Sequence, residues 1–172
     1  MKPLHTFLAF SLVGTLAMAQ SNLPRGDSNF LTKAAQGGQG EVELGQLAQQ
    51  RGTNPKVKEF GWQMETDHSK ANNQLKSLAS SKGLTVPASI DSDSQATKAK
   101  LSRLSGAEFD RAYIQAMVDD HKKDIAEFQN EASSGSDADV KNFASTTLPT
   151  LQRHLQMAQE ALTEVNKTIS QR

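Results

Sequence analysis

Apolar residues recur at intervals of three and four along most of the chain, whereas no stretch alternates with a period of two for long enough to form a strand. Four segments carry this pattern, each with one apolar stripe and one polar face. Helices of this kind bury their stripes against one another. The pattern therefore predicts an all-α protein built as a four-helix bundle.

Capping residues and glycines mark where the helices begin and end. The first helix is predicted to begin near Asn29. The signals that begin a helix are Asp27 or Ser28, Asn54 with Pro55, and Ser105 with Glu108. Gly52 ends the first helix and Gly83 ends the second. The segment SSGSDAD at 133–139 ends the third helix and caps the fourth. The glycines at 37, 38 and 40 weaken the middle of the first helix, at roughly 1 kcal/mol each relative to alanine. They would permit a kink or a close approach of another helix.

The connection between the second and third long helices is the longest one inside the bundle, at about 84–105. It is long enough to cross the bundle and is predicted to contain a short helix from about Gln95 to Leu104. This length favours a ferritin-like arrangement over simple up-and-down order. Pro149 lies inside the fourth helix and predicts a kink shortly before His154.

The first nineteen residues have the pattern of a secretory signal peptide. Lys2 gives a positive start, an apolar run follows from Phe7 to Leu16, and AMA at 17–19 is a small-x-small cleavage site. The alternative is an uncleaved membrane anchor, but the apolar run is shorter than the ~20 residues that span a bilayer. We therefore expect an exported protein, periplasmic or extracellular in a bacterium, with a signal peptide at 1–19, a flexible leader at 20–28 and the bundle at 29–169.

Composition narrows the classes of function. The chain has no cysteine, which excludes thiol catalysis, thiolate zinc sites and iron–sulfur clusters. Basic and acidic residues are equal in number, so no strong field attracts nucleic acid or an anionic membrane. The sequence contains no recognisable serine–histidine–acid arrangement and no phosphate-binding loop. A binding or structural role is favoured over an enzymatic one.

Three histidines, His68, His121 and His154, each lie on the apolar stripe of a different predicted helix. Three helices would thus direct three imidazoles into one core, and Glu41 of the first helix would add a carboxylate. This donor set suits one transition-metal ion, namely zinc, copper, iron or manganese. The alternative is a metal-free core in which each histidine is a hydrogen-bonded packing residue.

The sequence Met-x-x-Asp-His-x-Lys occurs twice, around His68 and around His121. The two aspartates of these blocks project about 100° away from the histidines that follow them. They are therefore better placed to bond a ligand's distal ring nitrogen than to bind metal. The predicted set of such flanking carboxylates is Asp67, Asp120, Asp124 and Glu65. Met64 and Met117 precede the histidines by one turn and would suit Cu(I), although methionines on a stripe are usually core residues.

Three blocks of the sequence resemble a known family. They are EVELGQLAQQRGTNPKVKEFGWQMETDHSKANNQL, LSGAEFDRAYIQAMVDDHKKDIAEF and LPTLQRHLQMA. In order and spacing they are similar to the domain of unknown function family 4142 of exported bacterial proteins, over about residues 29–162. The resemblance implies a ferritin-like four-helix bundle, and the activity of that family is unassigned.

Ferritin-like iron proteins carry Glu-x-x-His on two helices. Glu65 and His68 match this motif once, but Val118 and Leu151 stand where the second glutamate would precede His121 or His154. The residues thus favour a histidine-rich site over a di-iron oxidase. We predict a metal-binding bundle with a buffering or stress-protection role; the alternative is a metal-free structural or protein-interaction bundle of the cell envelope. Its protein partner and oligomeric state are left open.

Overall fold

The computed structural model of the protein describes residues 22–171. This part of the chain consists of helices and turns without a strand, as the periodicity predicts. The predicted signal peptide at 1–19 lies outside the described residues. The five helices are α1 (Arg25–Arg51), α2 (Pro55–Ser81), α3 (Ser92–Leu101), α4 (Gly106–Ser134) and α5 (Ala138–Ser170).

Helix α1 begins at Arg25, four residues before the predicted start, so part of the expected leader belongs to the bundle. The reason is a tertiary contact. The carboxylate of Asp27 is buried and accepts hydrogen bonds from the backbone N–H groups of Ser136 and Asp137, at 3.0 and 2.6 Å. This contact anchors the first turn, which sequence signals place outside the helix.

The short helix of the middle connection also differs from its prediction, since α3 begins at Ser92 and ends at Leu101. Its cap is Asp91, whose carboxylate accepts from the backbone N–H and the hydroxyl of Ser94, both at 2.8 Å. Leu101 is buried in the bundle. The cap and this anchor together fix the helix about three residues earlier than predicted.

Contacts at the two ends define the direction of each helix. At one end Asp110, at the start of α4, bonds the loop between α1 and α2. At the other end Asp27, at the start of α1, bonds the loop between α4 and α5. Helices α1 and α5 therefore run one way and α2 and α4 the other, so the connection through α3 traverses the bundle lengthwise. This is the predicted ferritin-like four-helix bundle.

Asp27 and Asp110 make matching contacts. Asp110 accepts from the backbone N–H groups of Thr53 and Asn54, at 2.9 and 2.8 Å, just as Asp27 accepts from the loop of the other hairpin. Each aspartate is 2% exposed. Each helical hairpin thus holds the loop of its partner hairpin by a buried carboxylate.

The apolar core is divided into two clusters along the bundle axis. One fills the end that contains the α1–α2 loop and includes Phe60, Phe109 and Tyr113. The other fills the opposite end and includes Leu31 and Phe128. The layer between the two clusters lies near the middle of all four long helices and contains buried ionisable side chains.

Helices α1 and α2 come close together at a pair of glycines. A Cβ added to Gly45 would lie 2.6 Å from the carbonyl oxygen of Gly61, and one added to Gly61 would lie 2.7 Å from that of Gly45. Larger residues would push the helices apart at this crossing. The contact lies about one turn from Glu41 and about two turns from His68, so it helps to set their separation.

The predicted kink at Pro149 does not displace His154 from the core. Helix α5 continues through the proline as one element, and His154 is fully buried. Within residues 22–171, no helix is sufficiently long and apolar to cross a membrane.

Replacing Asp110 by alanine should lower the free energy of unfolding by about 1–2 kcal/mol, because it removes a buried carboxylate that accepts from the backbone N–H groups of Thr53 and Asn54. Urea unfolding followed by circular dichroism measures the loss. Asp119→Ala on the same helix is the matched control, since Asp119 is exposed, and should change stability by less than about 0.5 kcal/mol. Equal effects of the two substitutions would contradict the role of Asp110 in holding the loop between α1 and α2.

Candidate metal centre

Each of the four long helices contributes one ionisable side chain to the layer between the two apolar clusters. These residues are Glu41 of α1, His68 of α2, His121 of α4 and His154 of α5. Their exposed fractions are 3%, 6%, 0% and 0%. Burial of four such groups at one level of a bundle is costly unless their polar atoms are satisfied.

The three imidazoles meet in the core. Their ring centroids are separated by 5.7 Å between His68 and His121, 5.2 Å between His68 and His154, and 5.4 Å between His121 and His154. One ring nitrogen of each lies within 4.8 Å of a ring nitrogen of the other two. The structure thus brings together the three histidines that the sequence places on separate stripes.

Hydrogen bonds fix which nitrogens of His121 and His154 carry a proton. The Nδ1–H of His121 donates to the carbonyl oxygen of Met117 at 3.0 Å, which leaves Nε2 unprotonated in the neutral ring. The Nε2–H of His154 donates to Oδ2 of Asp67 at 2.9 Å, which leaves Nδ1 unprotonated. These two unprotonated nitrogens face each other at 3.3 Å. Two lone pairs therefore converge on the same point.

His68 and Glu41 add two further acceptor atoms. The Nδ1–H of His68 donates to Oε2 of Glu41 at 2.8 Å. The remaining atoms of the pair, Nε2 of His68 and Oε1 of Glu41, are buried without a hydrogen-bond partner in the described structure. Oε1 of Glu41 also lies 3.4 Å from Nε2 of His121, which has no proton to donate to it. Buried polar atoms that have no hydrogen-bond partner are uncommon and call for a ligand.

Burial keeps the imidazoles neutral. It lowers the pKa of His68 and His154 to about 4 and that of His121 well below its ordinary value. The same burial, together with the nearby Asp120 carboxylate, raises the pKa of Glu41 well above its ordinary value. Neutral imidazole is the form that binds metal ions. At neutral pH the centre therefore offers three unprotonated ring nitrogens, one from each histidine.

Asp67 orients His154 from the neighbouring helix. Besides the His154 ring, its Oδ2 accepts from Arg153 at 2.7 Å and from Gln63 at 2.6 Å. Burial alone would raise the pKa of Asp67, but the hydrogen bonds from His154 and Gln63 hold it below its ordinary value. An ionised Asp67 needs donors, which fixes the proton of His154 on Nε2. A carboxylate is predicted in this role, and the structure pairs Asp67 with His154 rather than with the adjacent His68.

The other flanking carboxylates occupy different surroundings. Asp124 lies at the edge of the centre, with a carboxylate oxygen within 4.8 Å of Glu41 and His121 ligand atoms. Asp120 is half-buried in a groove next to α3. Glu65 is engaged elsewhere, because its two oxygens accept from Gln46 and Gln49 of α1 at 2.8 and 2.7 Å. The Glu-x-x-His motif thus contributes its histidine to the centre and its glutamate to the contact between α1 and α2.

The methionines of the repeated blocks belong to the apolar core. Met64 and Met117 are buried in the cluster with Phe60. Met117 contributes to the centre through its backbone carbonyl, which accepts from His121. This supports core packing as the role of the two thioethers.

The two hairpins are related by an internal repeat that is not among the features predicted from the sequence. Asp27 and Asp110, Gly52 and Gly135, and Asn54 and Asp137 are separated by one and the same interval along the chain. The glycines end α1 and α4, and Asn54 and Asp137 cap the helices that follow. Glu41 and Asp124 are separated by this interval as well, so they occupy equivalent places on α1 and α4. Matching cap residues were the signal that could have identified Asp124 as Glu41's counterpart.

The fold and the centre define the class: a ferritin-like helical bundle with a buried cluster of three histidines and a glutamate. The chain belongs to the family described as domain of unknown function DUF4142, whose family model matches residues 14–161. No functionally curated protein matches the sequence.

Two solved structures have a similar fold. One is the crystal structure of a DUF305 fragment from Deinococcus radiodurans, with a TM-score of 0.74 and 15% identity over 83% of this chain and 98% of that one. The other is CopM in the Cu(II)-bound form, with a TM-score of 0.69 and 14% identity over 80% of this chain and 96% of that one. At this level of identity the likeness establishes the fold.

In the presence of EDTA, wild type should lose stability relative to His154→Gln as the pH falls. The folded pKa of His154 is about 4, whereas an unfolded histidine titrates near 6.5. Below that pH the unfolded chain takes up a proton that the folded chain does not, which costs up to about 1.4 kcal/mol per pH unit. Glutamine does not titrate and lacks this cost.

Urea unfolding of both proteins, from about pH 7 down to about pH 4, measures the effect. The difference in the free energy of unfolding between wild type and the variant should shift steadily in favour of the variant. A difference that stays constant over the range would show that the pKa of His154 is the same in the folded and unfolded chains, and would contradict its depression by burial.

Proposed function

We propose that this chain binds one transition-metal ion through ring nitrogens of His68, His121 and His154, with Glu41 as a fourth ligand. The observation that carries the proposal is the pair of unprotonated nitrogens of His121 and His154, which face each other at 3.3 Å in a fully buried place. Without a positive charge between them, two such lone pairs repel. A metal ion relieves that repulsion and also satisfies the unpartnered acceptors of His68 and Glu41.

The chemistry of the donors favours certain ions. Imidazole nitrogen suits zinc, copper, iron and nickel, whereas magnesium and calcium prefer oxygen. A divalent ion also provides the charge that lets Glu41 ionise in a buried place. Copper is the first ion to test, because one protein of similar fold was solved in a Cu(II)-bound form. Zinc is the second, since three histidines and one carboxylate are a plausible tetrahedral set.

We place this function outside the cytoplasm, on the basis of the signal-peptide pattern at residues 1–19. A site that is enclosed between two apolar clusters suits the holding of an ion, as in buffering or protection against metal stress. The second candidate is a metal-free structural bundle. Its support is that each of the three histidines already has one ring nitrogen hydrogen-bonded within the protein.

Purified mature protein without an affinity tag should bind Cu²⁺ or Zn²⁺ in a one-to-one ratio, as measured by isothermal titration and elemental analysis. Bound metal should raise the thermal midpoint, because an ion held only by the folded state stabilises it by about 2.7 kcal/mol at a free concentration one hundred times Kd. His121→Gln should remove most of this binding while retaining a polar side chain in the core.

Glu65→Gln is the matched control. Glu65 lies on the same helix as His68, but its carboxylate bonds Gln46 and Gln49 instead of facing the centre. This variant should retain the stoichiometry and the shift of the thermal midpoint. If wild type takes up neither ion and its midpoint does not move, the metal-free bundle is the correct interpretation.

A further inference from the structure

An acidic groove runs along the bundle beside the histidine centre. It lies between α1, α3 and α4 and has a volume of about 420 Å³. Six carboxylates line it, against the two lysines Lys33 and Lys123. The carboxylates are Asp91, Asp93, Asp119, Asp120, Asp124 and Glu127. Because the whole chain has no net charge, this groove is a local concentration of acidic side chains.

The groove adjoins a small cavity that belongs to the centre. The cavity has a volume of about 40 Å³, enough for one ion or about one water molecule. Glu41 and His68 line it, and it shares Asp124 and Glu127 with the groove. Asp124 therefore stands between the acidic groove and the buried ligands.

Unpartnered atoms on the inner side point to a ligand rather than to a solvated acidic face. Oε1 of Glu41 and Nε2 of His68 are buried polar atoms without a hydrogen-bond partner, on side chains that are 3% and 6% exposed. Oε1 of Glu41 lies 3.4 Å from Nε2 of His121, and a carboxylate oxygen of Asp124 lies within 4.8 Å of the ligand atoms of both. A continuous series of polar side chains thus leads from the groove, through Asp124, to the imidazoles.

We infer that this groove is the route by which hydrated divalent cations reach the centre, and that Asp124 is the last outer ligand before Glu41. The inference rests on the proposed metal centre. The outer carboxylates attract the cation and raise its local concentration, as charged clefts do for oppositely charged ligands. Asp124 then exchanges part of the hydration shell for carboxylate oxygen, and Glu41 passes the ion to the ring nitrogens.

Stopped-flow mixing with Co²⁺, whose visible absorption reports binding to nitrogen ligands, tests this route. The triple variant Asp93→Asn, Asp119→Asn, Glu127→Gln removes three exposed charges of the groove without touching a ligand of the centre. Its second-order rate of Co²⁺ binding should fall about tenfold at low ionic strength. The gap to wild type should shrink at high salt, because salt screens the groove. The final absorption spectrum and stoichiometry should match wild type.

The matched control removes the same charge elsewhere. It is the triple variant Glu59→Gln, Glu160→Gln, Glu164→Gln. These three glutamates are exposed and line a different groove, between α2 and α5. This variant should bind Co²⁺ at a rate within about twofold of wild type, because a cleft concentrates the field of the charges that line it and these three carboxylates line a different cleft. Equal slowing in both triple variants would show that net charge sets the rate, and it would overturn the assignment of the groove.

Asp124→Asn tests the inner step. It should slow Co²⁺ binding at every ionic strength, because its role depends on direct contact rather than on long-range attraction. Wild-type rates in both Asp124→Asn and the groove variant, with normal stoichiometry, would overturn the route while leaving the centre intact. Absence of Co²⁺, Cu²⁺ and Zn²⁺ binding by wild type would instead overturn the centre, and the route with it.

Discussion

The burial of four ionisable side chains at one level of the bundle is the constraint on which the rest of the structure depends. Glu41, His68, His121 and His154 separate two apolar clusters that could otherwise pack as one core. Taking such groups out of water costs several kcal/mol unless each finds a partner. The surrounding helices supply partners on one side only: the Met117 carbonyl for His121 and the Asp67 carboxylate for His154. On the inner side His68 bonds Glu41, and the remaining atoms of this pair have no hydrogen-bond partner.

Contacts around the centre and at both ends of the bundle hold the buried histidines in place. Asp67 is held by Arg153 and Gln63, and the Gly45–Gly61 crossing fixes α1 against α2 near the level of Glu41 and His68. At the ends, Asp27 and Asp110 lock each hairpin to the loop of the other. The ring nitrogens are therefore positioned before any ligand arrives. Preorganisation of this kind reduces the entropy that binding must overcome.

The helices, the ferritin-like order and the convergence of the histidines could be predicted because each depends on local periodicity or connection length. His68, His121 and His154 lie on apolar stripes, and a stripe faces the core whatever the rest of the chain does. The early start of α1 and the place of Asp124 could not be predicted in this way. Both depend on partners far along the chain, at Ser136 and at Glu41, which only packing brings near. The repeated Met-x-x-Asp-His block lies on α2 and α4, whereas the structural repeat pairs α1 with α4.

His121 limits how many ions the centre can hold. Its Nδ1 is committed to the Met117 carbonyl, so Nε2 is its one available donor atom. That nitrogen lies 3.3 Å from Nδ1 of His154 and 3.4 Å from Oε1 of Glu41. It therefore belongs to two possible groups of metal ligands, one with His68 and His154 and one with Glu41 and Asp124. One lone pair binds one ion. An ion near His121 would thus be within reach of both groups, and on the proposed route Asp124 would contact that same ion from the side of the groove. This geometry supports a single ion that is approached through carboxylates and retained by imidazoles.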